Sequence, residues 1–246
     1  MRWNRARRPL ARAVALAGLA LALAAWVLVG GPGVAAQAPA APIASTLVAT
    51  QEMSSVPPAR RWVIRGEHPL NVEHTHAGGF VYVMQGAMTL QMEGGEVALQ
   101  EGQGTWVPEG VPHTHRADAG TKLWTFTLET QADLAATPAV FSSKELSTSA
   151  EGPHLARLLS DQYPVGASTP PHRHYGPEAV FVRQGNYELN YGGTPQTYSA
   201  EQGYTVEPLV PHRLQNAGQD VARLFNLSLV PLGRQAGETL PPDALR

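Results

Sequence analysis

Six of the nine histidines in this 246-residue sequence fall into two patterns of the same form. Each pattern has two histidines separated by one residue and a third histidine further along the chain. Side chains two positions apart on a β-strand point to the same face, so each pair can present two imidazoles to one ion. The two sets are His74, His76 and His113, and His172, His174 and His212.

A carboxylate completes the second set. Glu178 lies four residues after His174, and His212 is expected to arrive from a later strand. Three neutral nitrogens and one carboxylate suit Fe, Mn, Ni, Cu or Zn better than Ca or Mg, and such a shell leaves room for water, substrate or oxygen. We therefore predict a divalent transition metal held by His172, His174, Glu178 and His212, with a small molecule as substrate or ligand.

The histidine patterns belong to an internal repeat of about a hundred residues. VMQG at residues 83–86 recurs as VRQG at 182–185, and VPH at 111–113 recurs at 210–212. Short apolar runs that end at glycine, with turns rich in Gly and Pro, are typical of an antiparallel sandwich or barrel. The sequence thus predicts two related β-domains. Weak helical periodicity indicates one short helix around residues 154–161.

These motifs resemble those of bicupins, which carry two barrels of the cupin superfamily. The second repeat matches the first cupin motif through its histidine pair, its acid and a later glycine, at His172, His174, Glu178 and Gly185. It keeps the histidine and asparagine of the second motif, His212 and Asn216, but has Glu207 and Leu209 where Pro and Gly are usual.

The first repeat has the complementary pattern. It matches the second cupin motif fully at Gly102, Pro108, Gly110 and His113, and keeps His74, His76 and Gly86 of the first motif, but Gly79 stands at the glutamate position. The resemblance allows a degenerate barrel without tight metal binding, or a three-histidine metal site. His115 is either a substitute ligand or acid–base group, or an exposed histidine at the barrel rim. His68 and His154 are expected to be surface or satisfied polar residues.

The resemblance implies a fold and a class of activity. The fold is all-β, with tandem double-stranded β-helix (jelly-roll) barrels. Similarity to bicupin dioxygenases of the quercetinase type implies a metal-dependent dioxygenase acting on a small enolic or phenolic substrate, with Glu178 as a metal ligand and catalytic proton acceptor. Isomerase, decarboxylase and hydrolase chemistry use the same shell. The alternative is a non-catalytic binding protein or sensor, since fold alone does not fix function.

The N-terminus has the pattern of an export signal. Five arginines within residues 2–12 precede an apolar run over residues 13–30, and the small residues at 34–36 suit a signal peptidase. An uncleaved run would anchor the chain to the membrane, with the remainder outside. The working part is therefore expected to be periplasmic, extracellular or anchored facing outward.

The resulting organisation is a signal peptide or anchor (1–36), a tether or arm (37–58), a first barrel (59–135, or to 150), a second barrel (151–235) and a tail (236–246). Without the signal the chain is acidic and has no basic block, which argues against nucleic acid as a partner. The absence of cysteine excludes disulfides and thiolate ligands. Homo-oligomerisation is left open, because cupins often pair through sheet edges.

Overall fold

The computed structural model of the chain describes residues 41–66, 68–148 and 152–245. The predicted signal peptide or anchor lies outside these residues. No helix within them is long and apolar enough to cross a membrane.

Nearly all regular structure in the described residues is extended, which confirms the all-β prediction. The first half contains β1 (Ala44–Met53), β2 (Arg61–Arg65), β3 (Glu73–His74), β4 (Gly79–Gln85), β5 (Ala87–Met92), β6 (Gly95–Gln100), β7 (Gly104–Val107), β8 (His113–Ala117), β9 (Lys122–Glu129), the helix α1 (Gln131–Ala136) and β10 (Phe141–Ser142). The second half contains β11 (His154–Tyr163), β12 (His172–His174), β13 (Glu178–Gln184), β14 (Asn186–Asn190), β15 (Gln196–Ser199), β16 (Gly203–Val206), β17 (Arg213–Gln215), β18 (Ala222–Pro231) and β19 (Gly237–Thr239).

Each repeat folds into a pair of antiparallel sheets. In the first, a five-stranded sheet in the order β10-β2-β9-β4-β7 packs on a four-stranded sheet in the order β3-β8-β5-β6. In the second, a five-stranded sheet in the order β1-β11-β18-β13-β16 packs on the three-stranded sheet β15-β14-β17, and β12 pairs with β19. Strands β2, β9, β4 and β7 thus have their counterparts in β11, β18, β13 and β16.

The two five-stranded sheets also pack against each other, and this interface forms the largest hydrophobic cluster in the described chain. Strand β4 contributes side chains to two different cores. Phe80 and Tyr82 enter the cluster between the barrels, whereas Val81 and Val83 enter the core of the first barrel. Both faces of the strand are buried, because side chains alternate along it.

Aromatic rings fill the interface between the barrels. Phe225 of the second barrel lies 4.8 Å from Phe126 and 5.0 Å from Tyr82, measured between ring centroids, and Trp124 lies 5.3 Å from Phe181. Offset and edge-to-face arrangements at such distances are favourable. Most of the aromatic residues on the strands are therefore core or interface residues and do not line a pocket.

Each five-stranded sheet has an edge strand that also contacts the other barrel. The predicted tether contains β1, which pairs along β11 in the second barrel's sheet, and a side chain at Gly104 in the first barrel would come within 3.0 Å of Val48. In the same way β10 pairs with β2, while Phe141 lies over Gly203 of the second barrel. Because Gly104 and Gly203 have no side chain, β1 and β10 can come close to the other barrel at these positions.

The prediction of a helix around residues 154–161 is wrong. Those residues belong to β11, whose side chains are buried at alternate positions and which pairs with β1 on one side and β18 on the other. Long-range pairing overrides a weak local period in this segment. The α-helix that does form, α1, begins at a capping box in which Thr130 and Asp133 bond reciprocally to each other's backbone amides.

Replacing Phe225 with alanine tests whether the barrels fold as one unit. The ring is fully buried in the shared cluster, so F225A should lower the free energy of unfolding by about 3–5 kcal/mol. All tryptophans of the described chain lie in the first barrel, whereas Phe225 lies in the second. We expect the tryptophan-fluorescence and circular-dichroism transitions in urea to move together.

Val165→Ala provides the control, because Val165 is 47% exposed on the second barrel. This change should alter stability by less than about 0.5 kcal/mol. A fluorescence transition that stays in place in F225A while the circular-dichroism transition splits would show that the barrels unfold independently.

Candidate metal centres

The second barrel brings its predicted histidines together. Strand β12 carries His172 and His174, and the backbones of His172 and His212 exchange N–H···O bonds of 2.9 and 2.8 Å. One ligand atom from each of the three histidines lies within 4.8 Å of the others. The backbone pairing, together with the period of 2 on β12, places three imidazoles around one point.

Glu178 joins this group as the first residue of β13. Its side chain is buried, with Oε2 3.1 Å from His174 Nε2 and 3.7 Å from His212 Nε2. The other carboxylate oxygen, Oε1, accepts a hydrogen bond from the side-chain amide of Asn226 on β18. Asn226 therefore orients the carboxylate so that Oε2 faces the imidazoles, as partners of metal ligands commonly do.

Backbone carbonyls fix the tautomers of two histidines. His172 Nδ1 lies 3.0 Å from the Pro170 carbonyl oxygen, and His212 Nδ1 lies 3.0 Å from that of Val210. A carbonyl only accepts, so Nδ1 carries the proton and Nε2 keeps its lone pair. His174 Nε2, His212 Nε2 and Glu178 Oε2 are buried, and the protein outside this group gives them no hydrogen-bond partner. These converging unpaired atoms fit a divalent metal.

The pKa values of His172, His212 and Glu178 are consistent with ligands in their metal-binding forms. Burial lowers the pKa of His172 to about 4 and also lowers that of His212. Burial opposes ionisation of Glu178, but His174 and the other imidazoles hold the pKa of this carboxyl at about 2. Burial also acts to lower the pKa of His174, but the Glu178 carboxylate raises it. At neutral pH the centre thus holds an ionised carboxylate, as metal binding requires.

The first barrel gathers more histidines than the sequence indicated. His74 on β3 pairs with His113 on β8, and His76 follows just after β3. Two further histidines join them, and one ligand atom from each of the five lies within 4.8 Å of all the others. The set is His68, His74, His76, His113 and His115.

His68 is a satisfied polar residue, as expected, but it lies within the histidine cluster, which the sequence did not predict. This residue lies between β2 and β3, and its Nε2 is 2.7 Å from His74 Nε2. No spacing in the sequence predicts the position of His68, because an irregular loop brings it to the cluster. His115 is fully buried and faces the same side as His113. It therefore lies inside the barrel and is not an exposed histidine at the rim. His154 is a satisfied buried residue, with Nδ1 3.0 Å from the Gly152 carbonyl oxygen.

Tautomers are fixed in the first barrel as in the second. His74 Nδ1 lies 2.8 Å from the Val72 carbonyl oxygen, and His113 Nδ1 lies 2.8 Å from that of Val111. His76 Nδ1 lies 2.6 Å from the Ala77 carbonyl oxygen. The Nε2 atoms of His76 and His113 are buried without a partner. Burial lowers the pKa of His76 to about 4, so its imidazole is neutral and able to bind a metal.

The glutamate position of the first barrel has no room for a side chain. A Cβ at Gly79 would stand 2.6 Å from Thr127 Cα and still closer to the Phe126 carbonyl oxygen. Real Cβ atoms do not approach backbone so closely. Strand β9 therefore occupies the space that a carboxylate from this position would need.

A cavity of about 550 Å³ opens beside the five histidines. Its lining includes His68, His74 and His76 from the cluster. At its wall Arg65 donates to both carboxylate oxygens of Glu129, one bond measuring 2.9 Å. The first barrel thus has an open approach to its histidines, of a size that accommodates a small molecule.

Asn216 stabilises a turn. Its amide nitrogen donates to the backbone carbonyls of Tyr163 and Asp220, and its oxygen accepts from the Gly218 amide.

Comparisons with known proteins agree with this architecture. A family model described as a cupin domain matches residues 63–125 and 161–229. No curated protein is significantly similar in sequence. AerE from Microcystis aeruginosa is 15% identical, with 75% of this chain and 99% of that chain covered and a TM-score of 0.51, which shows a shared fold.

Two further solved structures are similar in part. A Cupin 2 conserved barrel domain protein from Leptotrichia buccalis is 13% identical, covering 78% of this chain and 98% of that chain, with a TM-score of 0.41. Oxalate decarboxylase from Bacillus subtilis is 11% identical, covering 80% of this chain and 74% of that chain, with a TM-score of 0.48.

Adding a methyl group at Gly79 tests the steric account. G79A should lower the free energy of unfolding by about 1–3 kcal/mol or more, because the new Cβ meets the backbone of β9. Gly94→Ala is the matched control, since nothing lies within 4 Å of a Cβ there. Urea unfolding of both variants measures the difference. Equal stability would show that β9 yields easily and that a carboxylate could return.

Proposed function

This chain belongs to the cupin domain family, and we propose that it is an exported, metal-dependent oxidoreductase of dioxygenase type. Its substrate is a small enolic or phenolic molecule. The metal is held in the second barrel by His172, His174, Glu178 and His212, and Glu178 is also the catalytic proton acceptor.

One observation carries the proposal. In the second barrel, buried and unpaired nitrogen and carboxylate oxygen atoms converge on one point, with the carboxylate ionised and fixed by Asn226. Water or a hydrogen-bonding protein group would satisfy such atoms in a purely structural site. A shell of three imidazoles and one carboxylate suits a redox-active divalent metal and leaves positions open for substrate and oxygen.

The metal would polarise a bidentate substrate and bring it together with oxygen. The chain's own contribution is the proton acceptor. Because Glu178 Oε1 is engaged by Asn226, Oε2 is both the atom that faces the metal position and the atom to which an enol or phenol hydroxyl would pass its proton. Tyr191, whose ring centroid lies 6.3 Å from that of His212, is partly exposed and offers an aromatic face to a planar substrate.

Export is proposed from residues 1–36 alone, where a basic segment precedes an apolar run. N-terminal sequencing of the chain from the extracytoplasmic fraction should then begin at Gln37. A chain that retains its full N-terminus in the membrane fraction would indicate an uncleaved anchor, and a full-length chain confined to the cytoplasm would refute export.

Oxygen uptake tests the reaction. Protein loaded separately with Fe, Mn, Ni, Cu or Zn is offered a panel of enolic and phenolic compounds, and uptake is followed with an oxygen electrode. With the metal and substrate that give uptake, Glu178→Gln should reduce the rate by about 10²–10⁴-fold, because the proton acceptor is lost and a charged metal ligand is replaced by a neutral one. Glu188→Gln, on β14 outside the metal centre, is the charge-matched control and should leave the rate unchanged.

Substitution of a second ligand tests whether uptake depends on metal in the second barrel. His172→Ala should abolish uptake and reduce metal content. Unchanged uptake in both H172A and E178Q would contradict a second-barrel active site. Tight substrate binding without turnover for every metal would instead favour a binding protein or sensor.

A further inference from the structure

We infer that the first barrel holds a second metal ion in an all-histidine shell, in which His115 takes the role that Glu178 has in the second barrel. The shell consists of His74, His76, His113 and His115. This inference concerns metal binding and holds whether or not the second barrel catalyses the proposed reaction.

The pairing of the strands identifies two positions that are equivalent in the two barrels but carry different residues. Gly79 faces Val107 and Thr127 across its strand, as Glu178 faces Val206 and Ser228. The second barrel has its acid at this position and the first has no side chain.

The complementary change lies on β8, the strand that begins at the third histidine, His113. His115 is opposite Leu90, as Leu214 is opposite Leu189. The second barrel therefore has an apolar core residue where the first has an imidazole. Each barrel has a fourth potential ligand, but it comes from β13 in one and from β8 in the other.

His115 needs a partner that the surrounding protein does not supply. It is fully buried, and neither ring nitrogen has a hydrogen-bond partner. Leaving a buried polar group unsatisfied costs about 1–3 kcal/mol. Leu214 shows that a hydrophobic residue fits the equivalent place, so packing does not require an imidazole at residue 115. A metal ion shared with His76 and His113, whose Nε2 atoms are also unpaired, satisfies these groups together.

His68 lies at the opening of this shell. Since His74 Nδ1 is engaged by the Val72 carbonyl, His74 Nε2 carries the lone pair and His68 donates to it. A metal takes the same lone pair, so binding releases His68 towards the cavity that it lines. We therefore place four imidazoles in the shell and His68 beside it.

The two shells differ in charge and so in metal preference. Four neutral imidazoles leave the full charge of a divalent ion uncompensated, whereas Glu178 neutralises part of it. Imidazole suits Zn, Cu, Ni and Fe, whereas carboxylate ligands suit Mn. Zinc should therefore occupy both barrels, and manganese should bind tightly only in the second.

Metal titration of the full exported chain tests the inference directly. After chelation and dialysis, isothermal titration calorimetry should show two zinc ions per chain, and electron paramagnetic resonance of added Mn²⁺ should show one tight manganese site. His115→Leu, which copies the residue at position 214, should weaken one zinc site by at least about tenfold and leave the other unchanged. Met88→Leu, a volume-conserving change in the same core, should leave both unchanged.

A second measurement does not depend on the folding of H115L. In the His172→Ala, His174→Ala double variant only the first barrel keeps its complete histidine set, and the nitrogen splitting of bound Cu²⁺ in electron paramagnetic resonance should indicate four nitrogens. Three or fewer nitrogens, one zinc ion per wild-type chain, or two zinc sites unaffected by H115L would each overturn the inference. Two tight manganese sites would overturn the assigned selectivity.

Discussion

The packing of the two five-stranded sheets against each other is the constraint on which both candidate metal centres depend. Each sheet is at once one wall of a barrel and half of the interface, so β4 and β13 are buried on both faces. Gly79 and Glu178 are the first residues of these strands. The interface therefore fixes the position of the carboxylate in one barrel and leaves no space for a carboxylate in the other. Residues that are not metal ligands, such as Phe225, help to hold both sites.

The parts of the site that could be predicted from sequence follow from local periodicity and duplication. A His-x-His pair must share one face of a strand, and the repeat identifies His113 and His212 as the third members of their sets. His115 points inward only if the strand is regular from His113 onwards. The sequence alone could not establish this, because a proline comes directly before His113. Pairing of His115 with Leu90 shows that the strand is regular there.

The features that sequence reasoning missed depend on contacts between distant segments. His68 reaches the cluster from an irregular loop with no period to reveal it. Strand β1 lies in a segment whose Ala, Ser and Thr content is typical of a tether, and it is ordered by pairing with residues more than a hundred positions later. Strand β11 has the same explanation, because its two neighbours in the sheet determine its conformation. Local propensity is a weak guide where long-range pairing decides.

The unequal shells are best understood as a coupled exchange. Because position 79 has no side chain, the backbone of Phe126 and Thr127 lies in the space that a side chain there would occupy. A glutamate can then return only if the sheet opens, which the interface between the barrels opposes. Conversely, an imidazole at position 214 would have to enter the packed apolar core around Leu189. Neither barrel can change to the other's ligand set by a single substitution, so sheet packing keeps the two centres chemically distinct.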